Sequence, residues 1–149
     1  MSEPDAIELL LVEDNPADLE LALRALRQAK ISNRIQVARD GVEALDFLFA
    51  EGAFAARRIG DGPKLVLLDL KLPKIDGLAV LKRMKEDPRT KAIPVVVLTS
   101  SKEQSDLIES YALGVNSYIV KPVNFERFAE AVRQLGLYWL LLNQPPVQA

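Results

Sequence analysis

Five short runs of apolar residues alternate along the chain with longer segments in which apolar residues recur every three or four positions. Short runs rich in valine, isoleucine and leucine are typical of buried strands, and the longer spacing is typical of helices that bury one face. We predict five strands, at residues 7–12, 35–37, 65–68, 94–99 and 117–120. Strands this apolar need helices on both faces, so the pattern predicts an α/β fold with a doubly wound, five-stranded parallel sheet.

Capping and helix-breaking residues place the ends of several helices. Asn15, followed by proline, predicts the start of the first helix, which runs to about Lys30. The third helix ends near Asp87, because Pro88 disfavours a helical conformation in the residue before it. Apolar residues at positions 107, 108, 111 and 112 mark the fourth helix. Asn124 predicts the start of the last helix.

The sequence is consistent with a single domain over residues 1–149, with its core between about residues 7 and 142. Residues 51–64 mix glycine, proline and charged side chains, and we interpret them as a long surface loop before the third strand. No internal repeat, low-complexity tract or interdomain linker interrupts the alternation of strands and helices. A chain of 149 residues is long enough to bury one continuous core.

Composition narrows the possible chemistry. The sequence has no cysteine, which excludes disulfides, thiolate nucleophiles and cysteine-based metal sites and favours a cytoplasmic location. It has no histidine, which excludes histidine general bases, the usual zinc sites and a phosphohistidine within this chain. The net charge of −2 indicates neither nucleic acid nor an anionic membrane as a partner. The longest apolar stretch, residues 137–142, is far shorter than the ~20 residues that span a bilayer.

Four predicted strands end in polar residues that can carry chemistry. Glu13 and Asp14 follow the first strand, Asp69 follows the third, Thr99 ends the fourth and Lys121 follows the fifth. In open α/β sheets, ligands bind beyond the carboxyl ends of the strands. Three carboxylates at this edge would repel one another and raise their own pKa values. A hard divalent cation with oxygen ligands removes that problem, and Mg²⁺ suits the site best.

The same residues would suit attack by Asp69 on a phosphorus atom. Carboxylates can act as nucleophiles and form acyl phosphates. Mg²⁺ held by Asp14 and Asp69 would neutralise the charge that develops on the phosphoryl oxygens. Lys121 would place a positive charge on one phosphoryl oxygen, and the Thr99 hydroxyl would donate a hydrogen bond to another. No acid or base with a tuned pKa is needed, which agrees with the absence of histidine.

These residues carry a resemblance to a known family. The motifs LVEDN, LLDL, LPKIDG, LTS and VKP, which begin at residues 11, 67, 72, 98 and 120, resemble the signature of bacterial response-regulator receiver domains. The resemblance covers nearly the whole chain, in the right order and with normal spacings. It implies a flavodoxin-like receiver fold, phosphotransfer from a sensor histidine kinase to Asp69, and self-catalysed dephosphorylation. It thus implies a signalling phosphoacceptor that does not act as an enzyme on other substrates.

The resemblance also assigns a role to each residue of the site. It makes Asp14, Asp69 and the backbone carbonyl of Lys71 ligands of Mg²⁺, with Glu13 acting through water. It makes Thr99 and Tyr118 a switch pair and Lys121 the residue that senses the phosphate, and in the family the peptide bond before Pro122 is commonly cis. Lys71 is a less usual residue at its position, and a second ammonium there can alter the lifetime of phospho-Asp69 in a direction that the sequence does not give.

The last predicted helix is apolar on every face near its end. There, Tyr138, Leu140 and Leu141 lie on faces other than the one that covers the sheet. Such a surface either folds back over its own domain or forms a homodimer interface, and we favour the homodimer. Residues 132–146 and the loop 51–64 also resemble stand-alone regulators that serve bacterial phytochromes, which implies a phytochrome kinase as partner. No DNA-binding domain follows in the sequence, so we expect output by protein contact through Tyr118 and the last helix.

Three other function classes compete with this interpretation. A pseudo-receiver would be an interaction module without phosphotransfer, and it would fail to bind Mg²⁺. A flavin or nucleotide binder needs a glycine- or hydroxyl-rich loop after the first strand, where this chain has Glu13 and Asp14. A phosphohydrolase with an aspartyl nucleophile usually has a second aspartate two residues on, where this chain has Lys71.

Overall fold

Five parallel strands form one sheet in the computed structural model, which describes residues 7–30, 35–100, 109–115 and 117–136. The strands are β1 (Leu9–Val12), β2 (Ile35–Ala38), β3 (Leu65–Asp69), β4 (Val95–Thr99) and β5 (Ser117–Val120). Their order across the sheet is β2-β1-β3-β4-β5. Chain connections run outward in opposite directions from β1 and β3. The carboxyl ends of these two strands therefore flank the topological switch point, where ligands bind in such sheets. The prediction of a doubly wound, five-stranded, flavodoxin-like sheet is confirmed.

Four helices are described over their whole length: α1 (Pro16–Gln28), α2 (Gly41–Phe49), α3 (Gly77–Glu86) and α4 (Phe125–Gln134). Each follows an Asn or Asp whose side chain accepts a hydrogen bond from a backbone N–H of the first turn. The predicted caps Asn15 and Asn124 are confirmed, as is the end of α3 just before Asp87. Residues 109–112 are also helical, and the remainder of the predicted fourth helix lies outside the described residues. None of the described helices is long and apolar enough to cross a membrane.

The sheet has a hydrophobic core on each face. On one face, Leu9 and Leu11 of β1 belong to a cluster that includes buried residues of α1 and α4. On the other face, Leu10 and Val12 belong to a cluster that includes buried residues of α2 and α3. Each fully buried Leu or Phe contributes about 1.5–3 kcal/mol relative to an exposed one. The helices thus cover both faces and leave the strand ends open for polar residues.

Residues 51–64 form the predicted surface loop, and Phe54 and Arg57 in its first half also pack against α2. They contain two short 3₁₀ turns, Gly52–Phe54 and Ile59–Asp61. The ring of Phe54 meets that of Phe47 edge to face at 5.2 Å between centroids. The Arg57 guanidinium lies 4.1 Å from the Phe47 centroid and donates from Nε to the Phe47 carbonyl oxygen at 3.1 Å. These contacts depend on how the loop folds back onto α2, which local composition does not indicate.

Candidate functional site

Three carboxylates converge where β1 and β3 end. In the sheet register Val12 pairs with Leu68, so Glu13 and Asp69 are neighbours at the same edge. Glu13, Asp14 and Asp69 each offer an oxygen within 4.8 Å of the others' oxygens; we call these three residues the acidic cluster. Glu13 is 1% exposed and Asp69 is 3% exposed, whereas Asp14 is exposed to solvent. The structure therefore brings together the three carboxylates that the sequence predicted to meet.

Lys121 extends into the acidic cluster from the end of β5. Its backbone N–H donates to the Thr99 carbonyl oxygen at 2.9 Å, and its peptide bond to Pro122 is cis, as the family resemblance suggested. Its Nζ lies 2.8 Å from Asp69 Oδ2 and 3.0 Å from Glu13 Oε1. With its side chain 17% exposed, this lysine neutralises part of the negative charge at the strand ends.

The electrostatics of the site follow from this crowding. Burial raises the pKa of the Glu13 carboxyl to about 7, together with the hydrogen bond and the charge of Asp69, although the Asn15 N–H and Lys121 act in the opposite direction. Burial lowers the pKa of the Lys121 ammonium, but its hydrogen bonds and ion pairs with Asp69 and Glu13 outweigh burial and raise it overall. One ammonium therefore faces more negative charge than it can neutralise.

Asp69 is held by hydrogen bonds on both carboxylate oxygens. Oδ1 accepts from the Lys71 N–H at 3.0 Å, and Oδ2 accepts from Lys121 Nζ at 2.8 Å. The turn after β3 is tight here, because the Gly77 N–H donates to the Leu70 carbonyl oxygen at 3.0 Å. The two hydrogen bonds fix the orientation of the Asp69 carboxylate within the acidic cluster.

Gly77→Ala is expected to lower the free energy of unfolding by about 1–3 kcal/mol, the usual cost of overpacking. A Cβ at this position would lie 2.3 Å from the Asp69 carbonyl oxygen and 2.6 Å from the Leu70 Cα, and both are backbone atoms. Urea unfolding measures the change. Gly60→Ala is the matched control, because a Cβ there meets nothing within 4 Å, and equal stability of the two variants would contradict the prediction.

The predicted switch residues lie near the site without facing it together. Thr99 is the last residue of β4 and is 4% exposed, and its hydroxyl donates to the Ser100 carbonyl oxygen at 2.8 Å. Tyr118 lies on β5, is 43% exposed, and meets the ring of Tyr111 edge to face at 6.4 Å between centroids. The roles of Thr99 and Tyr118 stay predictions, since this geometry tests neither.

The donor set fits a hard divalent cation. Oxygens on opposite sides of a Mg²⁺ ion lie about 4 Å apart, so carboxylate oxygens within 4.8 Å of one another can serve one ion with small adjustments or through water. Asp14 and Lys71 also line a cavity of about 360 Å³ beside the cluster, together with Asp76. The residues that would hold the cation are Asp14, Asp69, the Lys71 carbonyl and, through water, Glu13.

Asp18 is a member of the site that sequence reasoning missed. It lies in the first turn of α1, and its Oδ2 is 3.2 Å from Lys121 Nζ. A signal for it was present, since an aspartate four residues after Asp14 faces the same end of the sheet, but an acidic first turn is common in helices. The last helix ends at Gln134, earlier than predicted, and the predicted dimer residues Tyr138, Leu140 and Leu141 lie outside the described residues.

Comparisons with known proteins identify the family of this chain. The response regulator receiver domain family matches residues 9–133. The chain is 43% identical over 147 residues to the probable methanogenesis regulatory protein FilR2 of Methanothrix harundinacea, covering 95% of this chain and 89% of that protein. It is 41% identical over 132 residues to response regulator Rcp1 of Synechocystis sp., covering 89% and 88%. The structure of the bacteriophytochrome response regulator AtBRR is 54% identical, with a TM-score of 0.82 and coverage of 95% and 100%. The chain belongs to the family of response regulator receiver domains.

Proposed function

We propose that this protein accepts a phosphoryl group on Asp69 from the phosphohistidine of a sensor histidine kinase. The observation that carries the proposal is the acidic cluster, two of whose carboxylates contact Lys121. A structural ion pair needs one carboxylate for one ammonium, whereas this edge of the sheet places the oxygens of Glu13, Asp14 and Asp69 within 4.8 Å of one another. Such an excess of charge is costly to fold and is expected where a cation and a phosphoryl group bind.

In this reaction a carboxylate oxygen of Asp69 forms a bond to phosphorus while the bond from phosphorus to the imidazole nitrogen of the kinase breaks. The electron pair of the broken bond leaves with that nitrogen, and Asp69 becomes an acyl phosphate. Lys121, which contacts Asp69 Oδ2 at 2.8 Å, is placed to pair with a phosphoryl oxygen afterwards. The Thr99 hydroxyl would donate to another phosphoryl oxygen. A bound divalent cation supplies positive charge that offsets the charge on the phosphoryl oxygens.

Mg²⁺ is the cation that we propose for this site. Its ligands would be all oxygen, from Asp14, Asp69, the Lys71 carbonyl and Glu13 through water, which is the ligation that hard cations take. The acidic cluster and the cavity shared by Asp14 and Lys71 support this choice. Rcp1, a relative of this chain, has been described in a Mn²⁺-bound form.

The kinase partner is proposed to be that of a bacterial phytochrome, with both proteins in the cytoplasm and no nucleic acid partner. Support comes from the bacteriophytochrome response regulator AtBRR and from RcpA, a cyanobacterial phytochrome response regulator whose structure is of the phosphorylated protein. The protein would act as a signalling phosphoacceptor, and it would catalyse only its own phosphorylation and dephosphorylation.

Incubation with acetyl phosphate, followed by intact-mass measurement, tests the proposed function. We expect the protein to gain one phosphoryl group in Mg²⁺ and none in EDTA, because the carboxylates around Asp69 repel the donor unless a cation is bound. The same comparison with a phosphorylated phytochrome kinase as donor tests the partner. A chain that accepts no phosphoryl group from either donor, and does not bind Mg²⁺, would be a pseudo-receiver.

Thr99→Ala is expected to keep phosphorylation of Asp69 and to lose the change in assembly that phosphorylation brings. The reason is the proposed switch: the Thr99 hydroxyl leaves the Ser100 carbonyl, bonds the phosphoryl group, and lets Tyr118 move from its exposed position beside Tyr111. The partner surface would then change, and we propose that this surface and the segment after α4, with Tyr138, Leu140 and Leu141, form a homodimer. Light scattering before and after phosphorylation measures the assembly. Unchanged coupling in Thr99→Ala, with Thr99→Ser as the control that keeps the hydroxyl, would contradict this switch.

A further inference from the structure

We propose that Asp18 is a positioning residue that holds the Lys121 ammonium over Asp69 while a divalent cation occupies the acidic cluster. The proposal rests on the proposed function, since it concerns the same phosphoryl transfer. It adds a fourth carboxylate to the site, with a task that differs from those of Glu13, Asp14 and Asp69.

The geometry places Asp18, on α1, in contact with the same ammonium that Glu13 and Asp69 contact from the strand ends. Asp18 is fixed at the start of α1, because its backbone N–H donates to Asn15 Oδ1 at 2.9 Å. Its Oδ2 lies 3.2 Å from Lys121 Nζ, a contact that joins residues 103 positions apart. The side chains of Asp18 and Lys121 are 31% and 17% exposed, so the pair is less screened by water than a surface ion pair.

The partners of Lys121 differ in what a cation does to them. Glu13 and Asp69 belong to the acidic cluster, so a bound cation would neutralise them and repel the ammonium. Among the described residues, the group that could hold a metal ion does not include Asp18. Asp18 therefore keeps its charge for Lys121 when the other two carboxylates turn to the cation.

Lysine needs such a partner because its ammonium sits on a flexible four-carbon stem with about 2 kcal/mol of rotamer entropy. Without Asp18, a cation among the carboxylates would drive Nζ toward solvent and away from the arriving phosphoryl oxygen. A simpler role for Asp18 is to stabilise the N-terminus of α1 through its negative charge. That role predicts an effect on stability, but it predicts no effect on the ammonium of Lys121.

NMR of the Lys121 ammonium in the full chain, labelled with ¹⁵N-lysine, separates these roles without any phosphoryl donor. Ammonium protons that are held in hydrogen bonds exchange slowly with water and give a visible signal, which Lys121→Arg assigns by its loss. In saturating Mg²⁺ we expect the signal in the wild type, its loss in Asp18→Asn and its return in Asp18→Glu. A Lys121 signal that persists unchanged in Asp18→Asn with Mg²⁺ would overturn the proposal.

A second experiment measures the rate of Mg²⁺-dependent phosphorylation by acetyl phosphate. We expect Asp18→Asn to be about five- to tenfold slower, a change on the order of one moderate ion pair, with the same Mg²⁺ affinity as the wild type. Glu20→Gln is the matched control, because Glu20 lies on the same helix, is 62% exposed and pairs with Arg24. Equal rates of Asp18→Asn and Glu20→Gln would refute the positioning role, whereas failure of the wild type to phosphorylate would refute the proposed function instead.

Discussion

Asp69→Asn is expected to carry no phosphoryl group after incubation with acetyl phosphate and Mg²⁺, while the wild type gains one. A neutral amide cannot attack phosphorus and form an acyl phosphate as a carboxylate does. The variant should fold, because its amide oxygen can still accept the Lys71 N–H and because Lys121 keeps Glu13 and Asp18 as partners. Intact-mass measurement in parallel with the wild type detects the loss.

The control for this experiment is Asp87→Asn, the same chemical change at the far end of α3. Asp87 pairs with Arg89 at 2.8 Å on the protein surface and has no part in the acidic cluster. It should therefore carry the same adduct as the wild type. An adduct of equal yield on Asp69→Asn would show that another carboxylate, such as Glu13 or Asp14, is the acceptor.

The position of the acidic cluster was predictable because the signals for it are local. Apolar runs define β1 and β3, and a polar residue that follows such a run must lie at the carboxyl end of a strand. Parallel pairing of the two strands then places Glu13 and Asp69 side by side. The sequence could thus give both the fold and the carboxylates without any knowledge of side-chain conformation.

What the sequence could not give depends on contacts between distant elements. The spacing from Asp14 places Asp18 at the right end of the sheet, but its contact with Lys121 also requires α1 and α4 to pack on the same face, and no local pattern encodes that contact. The packing of Arg57 on Phe47 is a shorter-range case, since it depends on how the surface loop folds back onto α2. Side-chain rotamers are a third feature that the sequence does not indicate. The hydrogen bond from the Thr99 hydroxyl to the Ser100 carbonyl oxygen forms in one rotamer of Thr99.

Lys121→Met is expected to lower the free energy of unfolding by about 3 kcal/mol in EDTA, and Mg²⁺ should recover part of this difference from the wild type. Removing one partner of a buried ion pair costs about 3–5 kcal/mol, because the other charge stays buried without compensation. We expect a loss of stability at the lower end of this range. Glu13, whose pKa is already raised to about 7, can take up a proton when the ammonium is gone. Urea unfolding of both proteins in EDTA and in Mg²⁺ measures the difference.

Recovery by Mg²⁺ follows from competition between the lysine and the cation for the same carboxylates. Lys121 Nζ contacts both Glu13 and Asp69, so its removal leaves these oxygens available and should tighten Mg²⁺ binding. The wild type also binds Mg²⁺, so at saturation the recovery equals RT times the logarithm of the ratio of the two Kd values, and tenfold tighter binding by Lys121→Met would recover about 1.4 kcal/mol. Lys121→Arg, which keeps the positive charge, should lose less stability and gain less from Mg²⁺. If Lys121→Met were as stable as the wild type in EDTA, the crowded carboxylates would not destabilise the folded state when the ammonium is removed. The cost of the charge excess, which supports the proposed function, would then be contradicted.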